Sequence, residues 1–430
     1  MMLVILFALL LALITLGVPI LLVMGIVGLF GILSDPGLVP ALFPQKMFAM
    51  LDNFSLLALP YFILAGELVS AGGISKRLVE FAEAVVGHWR AGLGHASVVS
   101  SMVFAGVSGS SVADTSAIGS ILVPAMKHRG YKPGFAAALV ACAGTIGAII
   151  PPSMTMIVYG SMANVSIGGL FLGGIVPGIL IGIGLMVVIY IYSFSPAFPE
   201  LRRTSGKFVM ANVVRATINV WPALLAPILV VGGILTGAFT ATEAGVVACF
   251  YGFFIGFFVY RIIKLRDLPK IFIRAAVTTA MVSGIIGVAG ALGWLLAYLN
   301  FNDLVLAGIT HVTGTKTGVM LLLMGIMLVL TMFVDSMAIL IIMIPVAVVI
   351  GRNFGIDEFQ LGLMMVMATQ IGSTTPPVAV LLFVATSIAG CTYNETIRYC
   401  WAFIIAEVAV LLMVVFWADL AAWIPHYFLG

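Results

Sequence analysis

Charge is what this sequence has least of. Asp, Glu, Lys and Arg make up only 8% of its 430 residues, against roughly 25% in soluble domains. A soluble chain of this length needs a polar surface that these residues cannot supply. The net charge of +3 is too small and too scattered among short loops to point to nucleic acid. Cysteine is almost absent. Cys142, Cys249, Cys391 and Cys400 stand singly, which excludes a Cys-x-x-Cys zinc site and a disulfide framework. The five histidines, His88, His95, His128, His311 and His426, show no ligand spacing, so no transition-metal site is expected. The N-terminus has no basic region before its apolar stretch, which speaks against a cleaved signal. Met1 to Leu33 is therefore expected to be membrane-embedded.

What is present is apolar sequence. Hydrophobic residues reach 63%, in many runs near the roughly 20 residues that cross a bilayer. The expected fold is all-α and polytopic. Met1 to Leu33, broken at Gly17-Val18-Pro19, reads as one kinked span or two short ones. Asp35 to Lys46 reads as a loop, and Met47 to Val69 as a span. Ile74 to Arg90 alternates charged and apolar residues and reads as an interfacial amphipathic helix. Spans follow at Leu170–Ser193, Trp221–Thr236, Gly245–Tyr260, Ala275–Leu299 and Trp401–Trp423. The segments Ser195–Arg215 and Arg261–Arg274 read as basic loops, and Asn302–Thr317 as a polar interfacial stretch.

Two stretches interrupt this background, and they match each other. The first holds Gly106-Val-Ser-Gly-Ser-Ser-Val-Ala-Asp-Thr115, then Pro124, then Thr145-Ile-Gly-Ala-Ile-Ile-Pro-Pro152. The second holds Thr331-Met-Phe-Val-Asp-Ser336, then Pro345, then Gln370-Ile-Gly-Ser-Thr-Thr-Pro-Pro377. Asp114 precedes Pro124 by ten residues and Asp335 precedes Pro345 by ten. Gly147 precedes Pro151 by four, as Gly372 precedes Pro376. The order marks an internal repeat. Each repeat combines a re-entrant hairpin (93–130 and 318–352) with a helix broken at a double proline (133–165 and 359–390). Non-helical backbone at that depth is tolerated only inside protein or along an aqueous cavity. With both hairpins re-entrant, sixteen basic residues fall on one side, among them Lys76, Arg129, Arg203, Lys207, Arg266 and Arg398. Three, Lys46, Lys316 and Arg352, fall on the other. The first side is therefore cytoplasmic, and the hairpins enter from opposite faces. Inverted repeats with discontinuous helices are the common plan of secondary transporters.

An ionised Asp deep in a bilayer costs roughly 2.5–3.5 kcal/mol on insertion scales. None of the residues quoted from the two stretches is a Lys or Arg that could pair with Asp114 or Asp335. Hydroxyls, helix N-termini and a bound cation remain as partners. Each Asp is expected to cap the second helix of its hairpin and to help hold sodium; the competing reading is an N-cap without an ion. The sodium candidates are Ser108, Gly109, Ser110 and Asp114 facing Gly144, Gly147 and Pro151, and Thr331 and Asp335 facing Gly372, Thr375 and Pro376. Two or more sodium ions are expected, and no organic cofactor. Ser110, Ser111, Ser153, Ser336, Ser373 and Thr374, with the helix N-termini, are candidates for an anionic substrate. Glu67, Glu243 and Glu407 are isolated and read as interfacial or interhelical contacts.

The stretches Phe104 to Pro124, Ala125 to Tyr131 (Ala-Met-Lys-His-Arg-Gly-Tyr), Ile149 to Ser153 (Ile-Ile-Pro-Pro-Ser) and Gly173 to Gly178 (Gly-Gly-Ile-Val-Pro-Gly) resemble the large membrane (M, DctM-like) subunit of tripartite ATP-independent periplasmic (TRAP) transporters. So do Thr240 to Gly245, Gly355-Ile356-Asp357 and Thr375-Pro376-Pro377-Val378. The resemblance runs over essentially the whole chain. One departure is Val378-Ala379-Val380-Leu381, where the family more often has Gly and Asn after Pro-Pro-Val. The resemblance implies a bacterial inner-membrane transporter, not an enzyme. It implies sodium-driven uptake of an organic acid (a C4-dicarboxylate, sialic acid or related carboxylate). A periplasmic substrate-binding protein (P-type) would deliver it, and a small membrane subunit (Q-type) would come from another gene product. It also implies an elevator mechanism. Scaffold helices and arms would occupy 1–92 and 195–317, and the moving repeats 93–194 and 318–424. A stand-alone sodium/carboxylate symporter of the same architecture is the alternative. An intramembrane aspartyl protease fits poorly, because Asp114 and Asp335 lack the Tyr-Asp and Gly-x-Gly-Asp contexts of such enzymes.

Overall fold

A computed structural model describes residues 2–202 and 208–429. The described residues form α-helices with short 3-10 and π turns and no strand. Among the described residues seven helices are long and apolar enough to cross a membrane, or eight if one bent pair is counted as a span. The chain is a multi-pass membrane protein.

At the start, α1 (Met2–Thr15) and α2 (Ile20–Ser34) are two short helices packed on each other, with Gly17 in the left-handed region between them. The segment read as a loop and a span is divided differently. It forms α3 (Leu42–Leu51), a 3-10 turn at Phe54–Leu57 and α4 (Ala58–Ala71). Asn53 causes the division. Its side-chain oxygen accepts from Ser55 N (2.9 Å), ending one helix and starting the next, while its amide donates to Ser161 O (3.0 Å). The amphipathic α5 (Ile74–Val86) forms as expected. Its apolar residues Ile74, Leu78, Val79, Ala82 and Val86 are buried against α6 (Gly92–Ser108) and α11 (Met210–Leu235). That stripe therefore faces protein rather than lipid. On its polar side, the Arg77 guanidinium lies 3.7 Å from the Tyr260 ring centroid.

Three long helices, α10 (Ile167–Tyr192), α11 and α13 (Leu268–Tyr298), span 26, 26 and 31 residues. At about 1.5 Å per residue each exceeds a hydrocarbon core of about 30 Å. α12 (Ala241–Phe254) starts on a capping box in which Thr240 and Glu243 satisfy each other's backbone N–H groups. The basic loops are shorter than expected. α11 begins at Met210, so Arg215 is helical. α13 begins at Leu268, with Pro269 in its first turn, so Lys270 and Arg274 are helical too. Arg203 and Lys207 lie outside the described residues. The stretch after α13 is the helix α14 (Phe301–Val312), which meets α15 (Lys316–Thr331) at 112°.

The repeats take the expected form. Hairpin one is α6 and α7 (Ser111–His128); hairpin two is α15 and α16 (Ser336–Asn353). The first broken helix is α8 (Pro133–Thr145) and α9 (Met154–Ala163), and the second is α17 (Glu358–Gly372) and α18 (Val380–Ala389). Both double prolines sit in the gap and both are cis. Proline removes a backbone donor and clashes with the preceding turn, so neither helix continues. The repeats interlock. α7 packs on α8 and also on α18, the far half of the other broken helix; α16 packs on α17 and on α9. α19 (Tyr393–Phe416) lies along α8, α10 and α17, and α20 (Asp419–Leu429) closes against α10.

Candidate functional site

Each hairpin tip docks on the gap of its own broken helix through one backbone hydrogen bond. Met154 N donates to Gly109 O (3.2 Å) in the first repeat, and Val378 N to Met332 O (3.1 Å) in the second. At the first tip Gly109 is left-handed, φ +65°, and a Cβ there would fall 2.6 Å from Pro152 O. Only glycine permits both the turn and the approach. Ser110 then caps α7, its hydroxyl accepting from Ala113 N (3.4 Å).

Asp114 is not the cap. It is the fourth residue of α7, and it is fully buried. Its position follows from Ser110 having taken the capping role one turn earlier. The Ser108 hydroxyl donates to Asp114 Oδ1, and Ser110 N donates to Ser108 Oγ (3.3 Å). Asp114 Oδ2 has no partner, and no ion pair among the described residues involves Asp114. Gly147 packs directly on that carboxylate: a Cβ at Gly147 would collide with Asp114 Oδ2 and lie 3.1 Å from Ser110 O. One turn away, a Cβ at Gly144 would collide with Thr115 Oγ1 and lie 3.2 Å from Ser111 O. Thr115 is buried and its hydroxyl is also unpartnered. Ser110, Ser111, Asp114, Thr115, Gly144 and Gly147 thus converge, with unmatched oxygens between hairpin and broken helix. Thr115 was not among the sequence candidates. Its one signal was adjacency to Asp114 on a helix that the glycines had to approach.

The second half differs. Asp335 is the N-cap of α16 as expected, accepting from Met337 N (3.0 Å) and Ala338 N (3.2 Å), and it is exposed. Gly372 packs on Thr331, whose hydroxyl donates to Met327 O (2.7 Å). Ser373 donates to Gln370 O (2.6 Å), and Thr374 and Thr375 each to Ile371 O (2.8 Å). These hydroxyls are turned back onto their own helix. Pro376 sits half-buried in the gap behind them. Ala379, at the departure from the family pattern, has φ +48°. A left-handed residue there is one that glycine would fill without steric cost.

Of the substrate candidates, Ser111 reaches the other repeat, donating to Gln370 Oε1 (2.7 Å). That bond joins α7 to α17 beside Ser373. Ser153 lies apart from it; its hydroxyl donates to Ala148 O (2.6 Å) and caps α9 by accepting from Met156 N (3.3 Å). Ser336 occupies the first turn of α16, half-buried. Gln370 was missed because a single glutamine in an apolar helix carries no spacing signal.

Glu407 is fully buried within α19. The expected interhelical contact is there: Glu407 Oε1 lies 2.7 Å from Thr145 Oγ1 at the end of α8.

Comparison with known proteins places this geometry. The sequence pattern of the DctM component of the tripartite ATP-independent periplasmic transporter matches residues 7–420. A C4-dicarboxylate TRAP transporter large permease protein, DctM, of Pseudomonas aeruginosa is 37% identical over 89% of this chain and 88% of its own. An isethionate TRAP transporter permease protein, DctMQ, of Oleidesulfovibrio alaskensis is 36% identical over 96% of this chain and 64% of its own. The solved Alcanivorax borkumensis YdaH transporter shares the fold, with a TM-score of 0.64 over 91% of each chain at 13% identity. The inverted repeats with paired hairpins and broken helices, together with the match over nearly the whole sequence, establish that this chain belongs to the DctM family of TRAP transporter large permeases, which are transporter subunits and not enzymes.

Proposed function

We propose that this chain is the permease of a sodium-coupled organic-acid importer in a bacterial inner membrane. The observation that carries the reading is Asp114. A buried carboxylate with one bare oxygen, no cationic side chain and two glycines drawn against its helix has the donor set of a sodium site: oxygens only, anionic overall. Asp114 Oδ2, Thr115 Oγ1 and the carbonyls of Ser110 and Ser111 would contact the ion. A second ion would sit between Thr331 and the Gly372–Pro376 gap, held by carbonyls and hydroxyls without a carboxylate. Ser111, Ser373 and Thr374 lie near the meeting point of the repeats, where an anionic substrate would also find helix N-termini. With no Lys or Arg at the site among the described residues, sodium supplies the counter-charge, so ion and substrate binding are coupled. One net charge moving inward is worth about 2.3 kcal/mol per 100 mV.

The substrate class is a carboxylate such as a C4-dicarboxylate or sialic acid, delivered by a periplasmic binding protein. A small membrane subunit would complete the permease; the DctMQ name of the longer relative denotes both parts in one polypeptide. The interlocked hairpins and broken helices would move as one body against α11, α12, α13 and the arms α5 and α14, which is an elevator. The test is uptake by proteoliposomes containing this chain, the small subunit and the binding protein. Uptake is expected to require an inward sodium gradient and to become insensitive to it in Asp114→Asn. Sodium-independent uptake by the unmodified protein would overturn the reading. Full uptake without the binding protein would favour a stand-alone symporter.

A further inference from the structure

The contact between Glu407 and Thr145 holds a count of hydrogens. Thr145 Oγ1 lies 2.7 Å from Glu407 Oε1 and 2.7 Å from Cys142 O. Both are hydrogen-bond distances. The threonine hydroxyl has one hydrogen and a backbone carbonyl has none. An ionised carboxylate would leave both acceptors sharing that one hydrogen in a three-centre bond. A protonated carboxyl brings a hydrogen for each contact. The surroundings agree. Glu407 is fully buried, its Oε2 has no partner, and no ion pair among the described residues involves it. The thiols of Cys142 on α8 and Cys400 on α19 and the Thr374 hydroxyl after α17 face it, none of them a cation. A bare carboxylate in such a place is among the costliest groups a protein can bury, whereas a neutral acid with one unpaired carbonyl oxygen costs only a few kcal/mol.

We propose that Glu407 works as a neutral carboxylic acid whose O–H donates to Thr145 Oγ1, while the Thr145 hydrogen passes on to the Cys142 carbonyl. The bound proton is a fixed part of the transporter. It clamps the last residue of α8 to α19, at the point where the helix unwinds into Ile146–Pro152. Thr145 lies between Gly144 and Gly147, which face hairpin one. Glu407 is therefore a positioning residue: it sets where the unwound segment presents itself to Asp114. The protonation state stands on the two distances and on full burial without a cation; any effect on sodium affinity rests on the function proposed above.

Two measurements test it. Infrared difference spectroscopy of the purified, lipid-reconstituted chain, Glu407→Gln against the unmodified protein, should show the carbonyl band of a buried protonated acid disappearing, with no change in the ionised-carboxylate bands. Thr145→Val should shift that band, because the acid loses its acceptor. In uptake assays Glu407→Gln, whose amide also donates to Thr145, should keep most of the rate. Glu407→Ala, which removes the donor to Thr145 and the clamp between α8 and α19, should lose about tenfold. Loss of a carboxylate band in place of the acid band would overturn the proposal. Equal loss of uptake in the Gln and Ala variants, with both present in the membrane at normal level, would overturn it too. Both spectroscopic outcomes are read without sodium, so failure of the sodium reading leaves them standing.

Discussion

The two repeats are built alike and charged differently. In the first, the hairpin carries its carboxylate inside, one turn beyond the cap, with an unmatched oxygen aimed at a glycine. In the second, the carboxylate is the cap itself, outside, and the inner hydroxyls bond to their own helix. A duplicated frame can thus hold two gaps of similar shape while placing fixed charge in only one. On the sodium reading proposed above, the first gap would hold its cation with a carboxylate and the second with carbonyls and hydroxyls.

Exchanging charge for a neutral amide separates the halves most strongly. Asp114→Asn should reduce sodium-driven uptake on the order of a hundredfold, since removing one member of a buried charged pair costs about 3–5 kcal/mol. Asp335→Asn should stay within about twofold, because asparagine caps as well as aspartate. Comparable losses in the two would erase the distinction. Next in size, Gly147→Ala places a methyl against the Asp114 carboxylate and should raise the sodium concentration for half-maximal uptake by about tenfold, given overpacking costs of about 1–3 kcal/mol. Gly372→Ala meets chiefly the Thr331 hydroxyl, and also Leu328 O at 3.0 Å; with no carboxylate there, it should raise the sodium concentration for half-maximal uptake by less than Gly147→Ala does. A smaller effect is expected for Asp335→Ala, which removes a cap worth about 1 kcal/mol and should lower the melting temperature in detergent while leaving the sodium dependence intact. Least of all, Ala379→Gly relieves a left-handed alanine and should raise stability by at most about 1 kcal/mol. A fall in stability would show that the Ala379 methyl packing matters more than its backbone.

Much of the architecture was legible because the bilayer punishes irregular backbone: glycine, serine and double proline inside apolar runs leave few arrangements. The hairpins, the broken helices and their pairing followed from that. What was not legible was register. The ten-residue spacing from Asp114 to Pro124 and from Asp335 to Pro345 reads as equivalence, yet Asp114 is the fourth residue of its helix and Asp335 lies just before the first. The choice is made by a hydroxyl at Ser110, and cap selection is a local competition that spacing does not record. The break at Asn53 was hidden for another reason. Its partner, the Ser161 carbonyl, is 108 residues away. Glu407 and Thr145 are 262 apart, and no periodicity links them.

The crossing of each hairpin onto the other repeat has a consequence for how the molecule is made. α7 is covered on one side by α18, where Gly119 faces Ile388, a residue synthesised long after the first hairpin has left the ribosome. The first repeat therefore has to wait in the membrane with an uncovered flank until the second arrives. Assembly is completed only once the second repeat has been made, and a chain stopped before Val380 would hold a finished-looking first half whose α7 lacks its α18 cover.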